Sequence, residues 1–506
     1  MFPGIVDIAV VGGGPAGLVA AATAAGFGAG VLLIDENQAL GGQLTKQIHK
    51  FFGSRGHWAG VRGYKIAARL VEAVQAAGIQ VMTDAVAYGI FPDKVLGIAT
   101  PKGSVSVAAK AIILATGANE KALAFPGWTL PGVMTAGAAQ TLANIYRVLP
   151  GKRILMVGAG NVGLIVSYQL LQGGAEVVAV VEAQPHIGGY EVHAAKIKSL
   201  GVPVLTSHTI LKAVGRESVE GAVIAALSSG LPVPGSEKML EVDTICLAVG
   251  LTPAYELAAM AGCRLHFSRE AGGWVPEYDA TLETGVPGVF VAGDASGVEE
   301  ASTAMEEGKL AAVAAAKYLG LIAPAAATGR IEAITAGLAE LRGRNFSINH
   351  KKNDRVWQKI GGRGPKVIVE CLEGIPCNPC ETACPRGAIK VGRPITNIPA
   401  VDLDKCNGCG RCVAACPGQA CFVVNLDYAE DTAAISLPWE MLPWPEQGQI
   451  VKMVDREGRE VCTGRVLRVT NPSANDRTAV VTVAVPKEMA PSARRLARQR
   501  QVVEVG

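Results

Sequence analysis

The sequence predicts an α/β protein with two nested Rossmann-like dinucleotide-binding domains, followed by a cysteine-rich module and a small C-terminal β domain. A glycine-rich turn between an apolar strand and an Ala-rich helix begins at residue 12, and the same pattern returns at residue 158. Eight cysteines then crowd between residues 371 and 416. A repeated βαβ unit within one chain favours one dinucleotide fold inserted into another.

The chain has 506 residues, more than one hydrophobic core holds, so several domains are expected. Apolar and polar residues alternate around a turn near the C-terminus, which predicts the small antiparallel β domain. The predicted ranges are 1–120 and 253–321 for a discontinuous FAD-type domain, 121–252 for the inserted NAD-type domain, 322–365 for a linker, 366–425 for the cysteine-rich module and 426–506 for the β domain.

Composition excludes several classes of function. The formal net charge is only +3, and no basic block is interleaved with aromatic residues, so nucleic acid is not an expected partner. The longest apolar stretches contain charges, such as Lys309 and Lys317, so no membrane span is expected. The first residues lack a basic signal-peptide region, which favours the cytoplasm. In that compartment, twelve cysteines indicate metal or redox chemistry.

The first glycine-rich turn has the spacing of a dinucleotide site. Its first glycine permits a tight turn, its second lets backbone approach a pyrophosphate, and its third lets the helix pack on the strand. An acid about twenty residues later binds a ribose hydroxyl; the spacing from Gly17 favours Asp35, and the spacing to Gly41 and Gly42 favours Glu36. The candidate residues are Gly12, Gly14, Pro15, Ala16, Gly17, Asp35, Glu36, Gly42 and Gln43.

Two later segments extend the pattern. ILATGA at 113–118 contains Thr116 and Gly117, and TGVPGVFVAGD at 284–294 ends in Gly293 and Asp294. With the first turn, they resemble the two-dinucleotide-fold flavoproteins related to thioredoxin reductase, over residues 5 to about 320. That resemblance implies FAD, with Asp294 bonded to its ribityl and pyrophosphate region, and EEGKLAA beginning the helix under the isoalloxazine. The alternative is that Asp294 is only a turn residue.

The second turn contains Gly158, Gly160 and Gly163, and its second strand ends in Glu182. In reductases of that family, the inserted domain binds a nicotinamide nucleotide. Glu182 would accept from a ribose 2′-hydroxyl and repel a 2′-phosphate, so NAD or another adenine nucleotide is the candidate ligand. The alternative is an inserted domain that has kept its packing glycines without a ligand.

Disulfide-exchange chemistry has no support in the flavin region. It needs two adjacent sulfurs beside the flavin, whereas Cys246 and Cys263 are far apart in sequence and each lacks a close second cysteine. Both are therefore expected to be core residues. There is no GxSxG turn and no HxxxH pair, so hydrolysis is not expected either. No catalytic residue is identified.

The cysteine-rich module has the spacing of a bacterial two-cluster ferredoxin. CNGCGRCVAACP at 406–417 is C-x2-C-x2-C-x3-C-P. CLEGIPCNPCETACP at 371–385 repeats it, except that its first gap has five residues instead of two. Zinc is disfavoured, because these thiolates exceed what a tetrahedral ion binds, and Cys421 and Cys462 fall outside the pattern. By the cross-over rule, the expected ligands are Cys371, Cys377, Cys380 and Cys416 for one [4Fe-4S] cluster, and Cys384, Cys406, Cys409 and Cys412 for the other.

The segment FPGWTLPGVMTAGAAQ at 125–140 carries a second resemblance. It resembles the α, or flavoprotein, subunits of heteromeric amine and amino acid dehydrogenases, a family that includes sarcosine oxidase α, opine oxidase, the flavoprotein component of hydrogen cyanide synthase and dye-linked proline or hydroxyproline dehydrogenases. The resemblance implies a hetero-oligomer in which a glycine-oxidase-like FAD subunit oxidises the substrate, with a further small subunit as a candidate partner. In some members, FMN lies at a subunit interface. Several relatives have a shorter cysteine-rich C-terminal region, so their electron acceptors do not transfer to this chain.

These features together predict an electron-transfer subunit that passes electrons between flavin and [4Fe-4S] clusters to an external acceptor. The main alternative is a self-contained NAD(P)H-dependent reductase resembling the glutamate synthase small subunit, although in that protein the clusters precede the flavin domain. A redox-sensing or scaffold protein without turnover is the third alternative.

Overall fold

The computed structural model describes residues 4–343, 360, 362 and 364–498. Among these residues, the helices are α1 Pro15–Ala25, α2 Gly63–Ala76, α3 Ala136–Asn144, α4 Asn161–Gln172, α5 Glu191–Lys198, α6 Glu256–Met260, α7 Ala301–Tyr318, α8 Pro324–Arg342, α9 Pro379–Thr382 and α10 Arg411–Ala415.

The strands follow the apolar runs of the sequence. Up to residue 253, they are β1 Ile5–Val11, β2 Val31–Ile34, β3 Gln80–Met82, β4 Val86–Phe91, β5 Val95–Thr100, β6 Gly103–Leu114, β7 Ala118–Glu120, β8 Val133–Thr135, β9 Arg153–Val157, β10 Glu176–Glu182, β11 Val204–Thr206, β12 His208–Val214, β13 Gly221–Ser228, β14 Leu231–Pro232, β15 Lys238–Leu240, β16 Thr244–Leu247 and β17 Leu251–Pro253. The later strands are β18 Leu265–Ser268, β19 Gly273–Pro276, β20 Val289–Val291, β21 Lys366–Val369, β22 Ile389–Lys390, β23 Ala400–Val401, β24 Cys421–Asn425, β25 Thr432–Trp439, β26 Ile450–Val454, β27 Glu460–Thr470, β28 Ala479–Pro486 and β29 Arg495–Leu496.

The chain forms two compact units, and each contains segments that are distant in sequence. The first unit takes the described residues within Met1–Ile48, Val61–Lys121 and Gly250–Gly343. The second takes those within His49–Gly60, Ala122–Val249 and Arg344–Gly506.

The first unit contains a seven-stranded sheet in the order β3-β2-β1-β6-β5-β4, with β20 beside β6. Strands β1, β2, β3, β6 and β20 pair in parallel, whereas β4 and β5 form an antiparallel meander with β6. Apart from Ile5 at the start of β1, the Val, Ile and Leu side chains of β1 and β2 are almost entirely buried, as expected for a parallel sheet that is covered on both faces. The carboxyl ends of β1 and β20 place the first glycine turn and the Gly293-Asp294 turn at one edge, where a doubly wound sheet binds its ligand.

The second unit begins with another Rossmann-type sheet, in the order β11-β10-β9-β16-β8, with every pairing parallel. Its first turn leads into α4, as the turn after β1 leads into α1. A smaller antiparallel sheet of β12, β13, β14 and β15 follows.

The cysteine-rich module and the C-terminal residues share a seven-stranded antiparallel sheet, in the order β21-β24-β25-β28-β27-β26-β29. The boundary expected between residues 425 and 426 therefore falls inside a continuous sheet, because β24 pairs with β25. One hydrophobic core joins this sheet to the inserted Rossmann domain, through residues such as Leu170 and Ile197 on one side and Phe422 and Val481 on the other.

The range expected as a linker, 322–365, contains the nineteen-residue helix α8. Pro324 occupies the first turn of this helix, where its missing N–H has no cost. Much of the remaining range lies outside the described residues.

Candidate functional site

The turn between β1 and α1 contains two kinds of glycine. Gly12 has a φ of +106°, and a Cβ there would lie 2.1 Å from the carbonyl oxygen of Ala115. A Cβ on Gly17 would lie 1.8 Å from the carbonyl oxygen of Gly12. Both positions therefore require glycine for the fold itself. At Gly14, by contrast, the nearest atom to an added Cβ is the Cα of Gly42, at 4.0 Å.

The room beside Gly14 opens at the N-terminus of α1, which carries Pro15 in its first turn and no acidic residue there. The unpaired N–H groups and the partial positive charge of a helix N-terminus favour phosphate. Gly42 approaches Gly14 closely, since its own Cβ would lie 2.8 Å from the Cα of Gly14. Gln43 follows it in a 3-10 turn, Gly42–Lys46. These residues fit the pyrophosphate of a dinucleotide.

Asp35 and Glu36 have different surroundings. Asp35 is 7% exposed, and its carboxylate accepts from Gly13 N at 2.6 Å and from Asn37 N at 2.8 Å. Its two oxygens thus fasten the glycine turn to the end of β2. Glu36 is exposed and lies beside the same turn.

Thr116 and Gly117 hydrogen-bond with Ala254, where the chain returns from the inserted domain. The Thr116 hydroxyl donates to the Ala254 carbonyl at 2.8 Å, and Ala254 N donates to the Gly117 carbonyl at 2.9 Å. Gly117 has a φ of +75°, which suits glycine.

The turn at Gly293 and Asp294 packs against α1, because a Cβ on Gly293 would lie 2.8 Å from the Cβ of Ala16. Burial raises the pKa of Asp294 to about 6, and Asp294 accepts from Glu299 N at 3.2 Å. Such a carboxyl, placed beside the N-terminus of α1, fits the role that the sequence predicts for it.

Sequence reasoning missed the buried Glu307 beneath this turn. Its carboxylate accepts from Gly293 N at 2.8 Å and from the Ser296 hydroxyl at 2.9 Å, and the Arg342 guanidinium of α8 donates to its other oxygen. Burial raises the pKa of Glu307 to about 7 despite these partners. Nothing in the sequence distinguishes Glu307 from the neighbouring Glu306 of the same helix.

The expectation that EEGKLAA begins the helix was wrong. Helix α7 starts at Ala301, so Glu306 and Glu307 lie in its second turn. The preceding residues, Ala301 to Met305, also favour a helix and extend it toward its N-terminus. Gly308 permits the close crossing with α1, because a Cβ there would lie 2.2 Å from the Ala16 carbonyl oxygen.

The second glycine turn repeats the first in detail. A Cβ on Gly158 would lie 2.2 Å from the Ala248 carbonyl oxygen, and one on Gly163 would lie 2.1 Å from the Gly158 carbonyl oxygen. Gly160 has open space beside it, as Gly14 does.

Glu182 occupies the position of Asp35 in this repeat. Its carboxylate accepts from Ala159 N at 2.8 Å and from Gln184 N at 2.9 Å. Ala183 then corresponds to Glu36, so the second fold has no acid at the exposed position that follows. The sequence contains the signal for this difference, because the paired glycines begin six residues after Asp35 and six residues after Glu182, so Ala183 aligns with Glu36.

The first expected ligand set, Cys371, Cys377, Cys380 and Cys416, lies in one neighbourhood. Burial raises the pKa of Cys371 and of Cys377, and the nearby Cys416 and Cys380 thiols raise both pKa values further. Ala420 N donates to the Cys416 sulfur at 3.4 Å. The longer first gap therefore does not carry Cys371 away from the other three.

The second expected set lines a single cavity. Cys384, Cys406, Cys409 and Cys412 surround it together with apolar residues such as Val367 and Ile389. Val367 N donates to the Cys406 sulfur, and Ala388 N donates to the Cys384 sulfur, both at 3.3 Å. Backbone N–H groups directed at sulfur are a feature that tunes protein-bound iron–sulfur clusters.

Cys421 falls outside the sequence pattern, yet it adjoins both sets. It is almost fully buried, and hydrogen bonds with the Cys380, Cys412 and Cys416 side chains raise its pKa well above the usual value. Cys462 is half-buried on β27. Cys246 and Cys263 are buried in hydrophobic cores, as expected.

A loop from the flavin half of the sequence, His49–Gly60, belongs to the second unit and lies against the first cysteine set. Gly53 forms a parallel bridge with Cys377, and the ring of Phe52 packs against Tyr190 and His193. The bridge between Gly53 and Cys377 joins residues that are more than three hundred positions apart, and nothing in the sequence indicates it.

Within the described ranges, no group of three or more His, Cys, Asp or Glu side chains is placed to hold a metal ion. The four thiolates of a [4Fe-4S] cluster bind four different iron atoms, so they need not surround one ion. The spacing and grouping of the cysteines are therefore the features that indicate cluster ligands. The described part of the chain also contains no helix with the length and hydrophobicity of a membrane span.

Comparison with known proteins supports both halves of the chain. A family model described as pyridine nucleotide-disulphide oxidoreductase matches residues 6–308, and one described as a 4Fe-4S dicluster domain matches residues 375–420. The second range contains seven of the eight candidate ligands and leaves Cys371 outside.

Two curated relatives and one solved structure resemble the chain. An opine oxidase component from Agrobacterium tumefaciens (strain Ach5), named as one of that enzyme's subunits, is 31% identical over 67% of this chain and 71% of its own length. The HcnB component of hydrogen cyanide synthase from Pseudomonas protegens is 26% identical over 80% of this chain and 90% of its own. The crystal structure of T. acidophilum thioredoxin reductase matches with a TM-score of 0.53 at 22% identity, over 63% of this chain and 100% of that one, and this likeness shows the fold alone.

The relatives confirm the family resemblance carried by residues 125–140, and the two family models confirm the expected flavin and iron–sulfur halves. The chain therefore belongs to the pyridine nucleotide-disulphide oxidoreductase family, as an FAD-dependent oxidoreductase with an added 4Fe-4S dicluster domain.

Proposed function

We propose that this chain is the electron-transferring subunit of a heteromeric dehydrogenase that oxidises an amine, an imino acid or an amino acid. The observation that carries the proposal is the combination of a dinucleotide cradle and two grouped cysteine sets on one chain. A relative named as one subunit of opine oxidase supports the choice of substrate class.

The first unit would hold FAD through its own backbone and carboxylates. The N–H groups at the start of α1 and the backbone of Gly14 and Gly42 would receive the pyrophosphate. The exposed Glu36 would accept from the ribose, since the carboxylate of Asp35 already accepts from Gly13 and Asn37. Asp294 would bind the ribityl and pyrophosphate region.

The second unit would hold two [4Fe-4S] clusters on the two cysteine sets. When bound, FAD would supply two-electron hydride acceptance and one-electron release, and each cluster would supply one-electron transfer. The residues of this chain would position these groups and exclude water, because most of the eight cysteines are buried or half-buried. The proposal places this chemistry in the cytoplasm.

The second dinucleotide fold is the candidate site for NAD or another adenine nucleotide. The open space at Gly160 supports binding of phosphate at the N-terminus of α4. The engaged carboxylate of Glu182 argues for weak recognition of a ribose. FMN at an interface with a partner subunit is the remaining cofactor in the proposal.

Complementation tests the proposed function. The chain would be purified alone and with the FAD subunit of glycine-oxidase type that co-purifies with it, and each preparation would be assayed with amines, imino acids and amino acids and a dye acceptor. We expect substrate oxidation only from the complex. A lone chain that oxidises such substrates, or that co-purifies with nothing and reduces an acceptor from NADH at about 10 per second or more, would contradict the proposal.

A further inference from the structure

Three buried lysines donate to the backbone of the cysteine-bearing segments. Lys196 and Lys50 are 5% and 6% exposed, and Lys366 is 9% exposed. Fully buried lysines are rare in proteins unless their charge is compensated, because removing an ammonium group from water is costly. Their placement therefore needs a physical reason.

Two of these lysines converge on the segment around Cys416. The Lys196 ammonium, on α5, donates to the carbonyl of Pro417, the residue that follows Cys416. The Lys50 ammonium, from the loop His49–Gly60, donates to the carbonyl of Ala414 and, at 2.9 Å, to that of Asn475. Both charges are thus held within three residues of Cys416.

Further positive charge lies on the same side of the module. Lys196, Arg456, Arg494 and Arg495 all line one small cavity together with Gly418 and Gln419. Glu370 pairs with Arg494 at 2.6 Å and with Arg456 at 3.0 Å. Arg495 is 5% exposed, and its Nη1 has no hydrogen-bond partner among the described residues. The cavity therefore carries more cationic than anionic side chains.

The third buried lysine lies beside the other cysteine set. The Lys366 ammonium, on β21, donates to the carbonyl of Cys406 at 2.7 Å. Cys406 lines the cavity that Cys384, Cys409 and Cys412 also surround. Each set thus has its own buried ammonium group, on a different element of the second unit.

A [4Fe-4S] centre with four thiolate ligands carries net negative charge, and reduction adds one more. A cation that is fixed nearby in a low-dielectric site stabilises the reduced state more than the oxidised state, so it raises the reduction potential. We propose that Lys196 raises the reduction potential of the centre bound by Cys416, and that Lys366 separately raises that of the centre bound by Cys406. This inference rests on the ligand sets of the proposed function.

Charge-removing variants test the assignment. Lys196→Gln and Lys366→Gln each keep an amide that can donate to the same carbonyl, so the variant mainly removes the charge. Potentials would be measured by EPR-monitored redox titration of the full chain, after iron and sulfide analysis shows loaded protein. The redox transition that disappears in Cys371→Ser protein belongs to the centre bound by Cys416, because Cys371 and Cys416 are in the same expected ligand set.

We expect Lys196→Gln to lower only that midpoint, by about a tenfold change in the reduction equilibrium, or 59 mV for a one-electron couple. Lys366→Gln should lower only the other midpoint. Lys196→Arg keeps the charge and should restore the potential. Lys198→Gln is the matched control, since Lys198 lies on the same helix but pairs with Glu191 and Glu457.

Unchanged midpoints in loaded Lys196→Gln protein, or a shift of the same wave by both variants, would overturn the inference. So would a wild-type midpoint that varies with phosphate concentration and loses this dependence in Lys196→Gln, because the lysine would then serve a mobile anion. Absence of iron from the wild-type chain would instead refute the two-cluster proposal, and it would be seen before any titration.

Discussion

Gly14 differs from the other glycines of its turn, because the folded chain leaves room beside it. A valine there fits the extended backbone, with φ −77° and ψ −172°, and its Cβ would meet no atom closer than the Gly42 Cα at 4.0 Å. We therefore expect Gly14→Val to fold and to lose FAD, since the new side chain fills the place where backbone approaches the pyrophosphate. Acid extraction of purified protein measures the flavin.

Gly160→Val is the matched control for this variant, because Gly160 has the same open surroundings in the second fold. It should retain FAD at the wild-type level. Full FAD in Gly14→Val protein would show that the first turn does not bind the flavin. Gly17→Val is not informative, since its Cβ would clash with the Gly12 carbonyl and disturb the fold.

Glu307 gives the first unit a predictable response to pH. Burial raises its pKa to about 7 from a usual value of 4.5, so the folded state holds a proton that the unfolded state releases. The free energy of unfolding should therefore fall as the pH rises from about 4.5 to 7, by about 3 kcal/mol from this group. Glu307→Gln has no such proton, and its thermal midpoint should fall less between pH 5 and pH 8.

Flavin fluorescence during heating would report this midpoint, with Glu299→Gln as the control. Glu299 pairs with the same Arg342 guanidinium but is exposed, so its loss should leave the pH response in place. Equal pH dependence in wild-type and Glu307→Gln protein would mean that Glu307 is ionised across the range.

Residue spacing predicted which residues of the candidate site lie close together in the folded chain. The packing roles of Gly12 and Gly17 follow from the spacing of the turn, and the grouping of the cysteine sets follows from the cross-over rule. Spacing could not separate Asp35 from Glu36, because the choice depends on which carboxylate accepts from Gly13 N. The hydrogen bonds of the folded chain supply that information.

At the scale of elements, the first cysteine segment is the main departure from a regular pattern. Cys371 lies just beyond β21 and outside the residues that match the dicluster family, yet its neighbours are Cys416 and Cys380. We expect about eight irons and eight acid-labile sulfides per chain, as two [4Fe-4S] clusters require. Cys371→Ser should lose up to four of these irons, with a matching loss in the EPR spectrum of reduced protein.

Cys462→Ser is the control for that measurement, because Cys462 lies on β27 outside both sets. It should keep the wild-type iron content. About four irons in fully reconstituted wild-type protein would indicate that the first motif is degenerate. Unchanged iron in Cys371→Ser would instead assign the fourth ligand elsewhere, and Cys421 would be the next thiol to replace.

The sequence did not predict the elements that depend on contacts between distant residues. Helix α8 lay in a range expected as a linker, because its Ala- and Gly-rich composition does not show a clear apolar face. The sheet that joins β24 to β25 crosses an expected domain boundary, because strand pairing is decided by partners far along the chain. The element types in the glycine turns were predictable, since their chemistry is local.

At the scale of the molecule, the inserted Rossmann domain shares its core with the C-terminal sheet of the second unit. Tyr168 of α4 hydrogen-bonds with Gln419, three residues after Cys416, and Arg498 donates to the Leu171 and Ala175 carbonyls. A domain with such contacts is retained for packing even without a ligand. The repeated geometry of its glycine turn is therefore weak support for NADH chemistry.

The last prediction concerns the ligand of this domain. Glu182 already accepts from two backbone N–H groups, and the position that corresponds to Glu36 is the exposed Ala183, so the second fold offers the ribose of NADH no carboxylate that is not already engaged. We expect weak binding of NADH to the wild-type chain in equilibrium titrations, and about tenfold tighter binding to Ala183→Glu, since a hydrogen bond to a charged group contributes about 1.5 kcal/mol. Ala183→Gln, without the charge, should gain less. If the wild-type chain already binds NADH tightly and Ala183→Glu adds nothing, the second fold is a working nicotinamide site, and the self-contained reductase becomes the better account of the whole molecule.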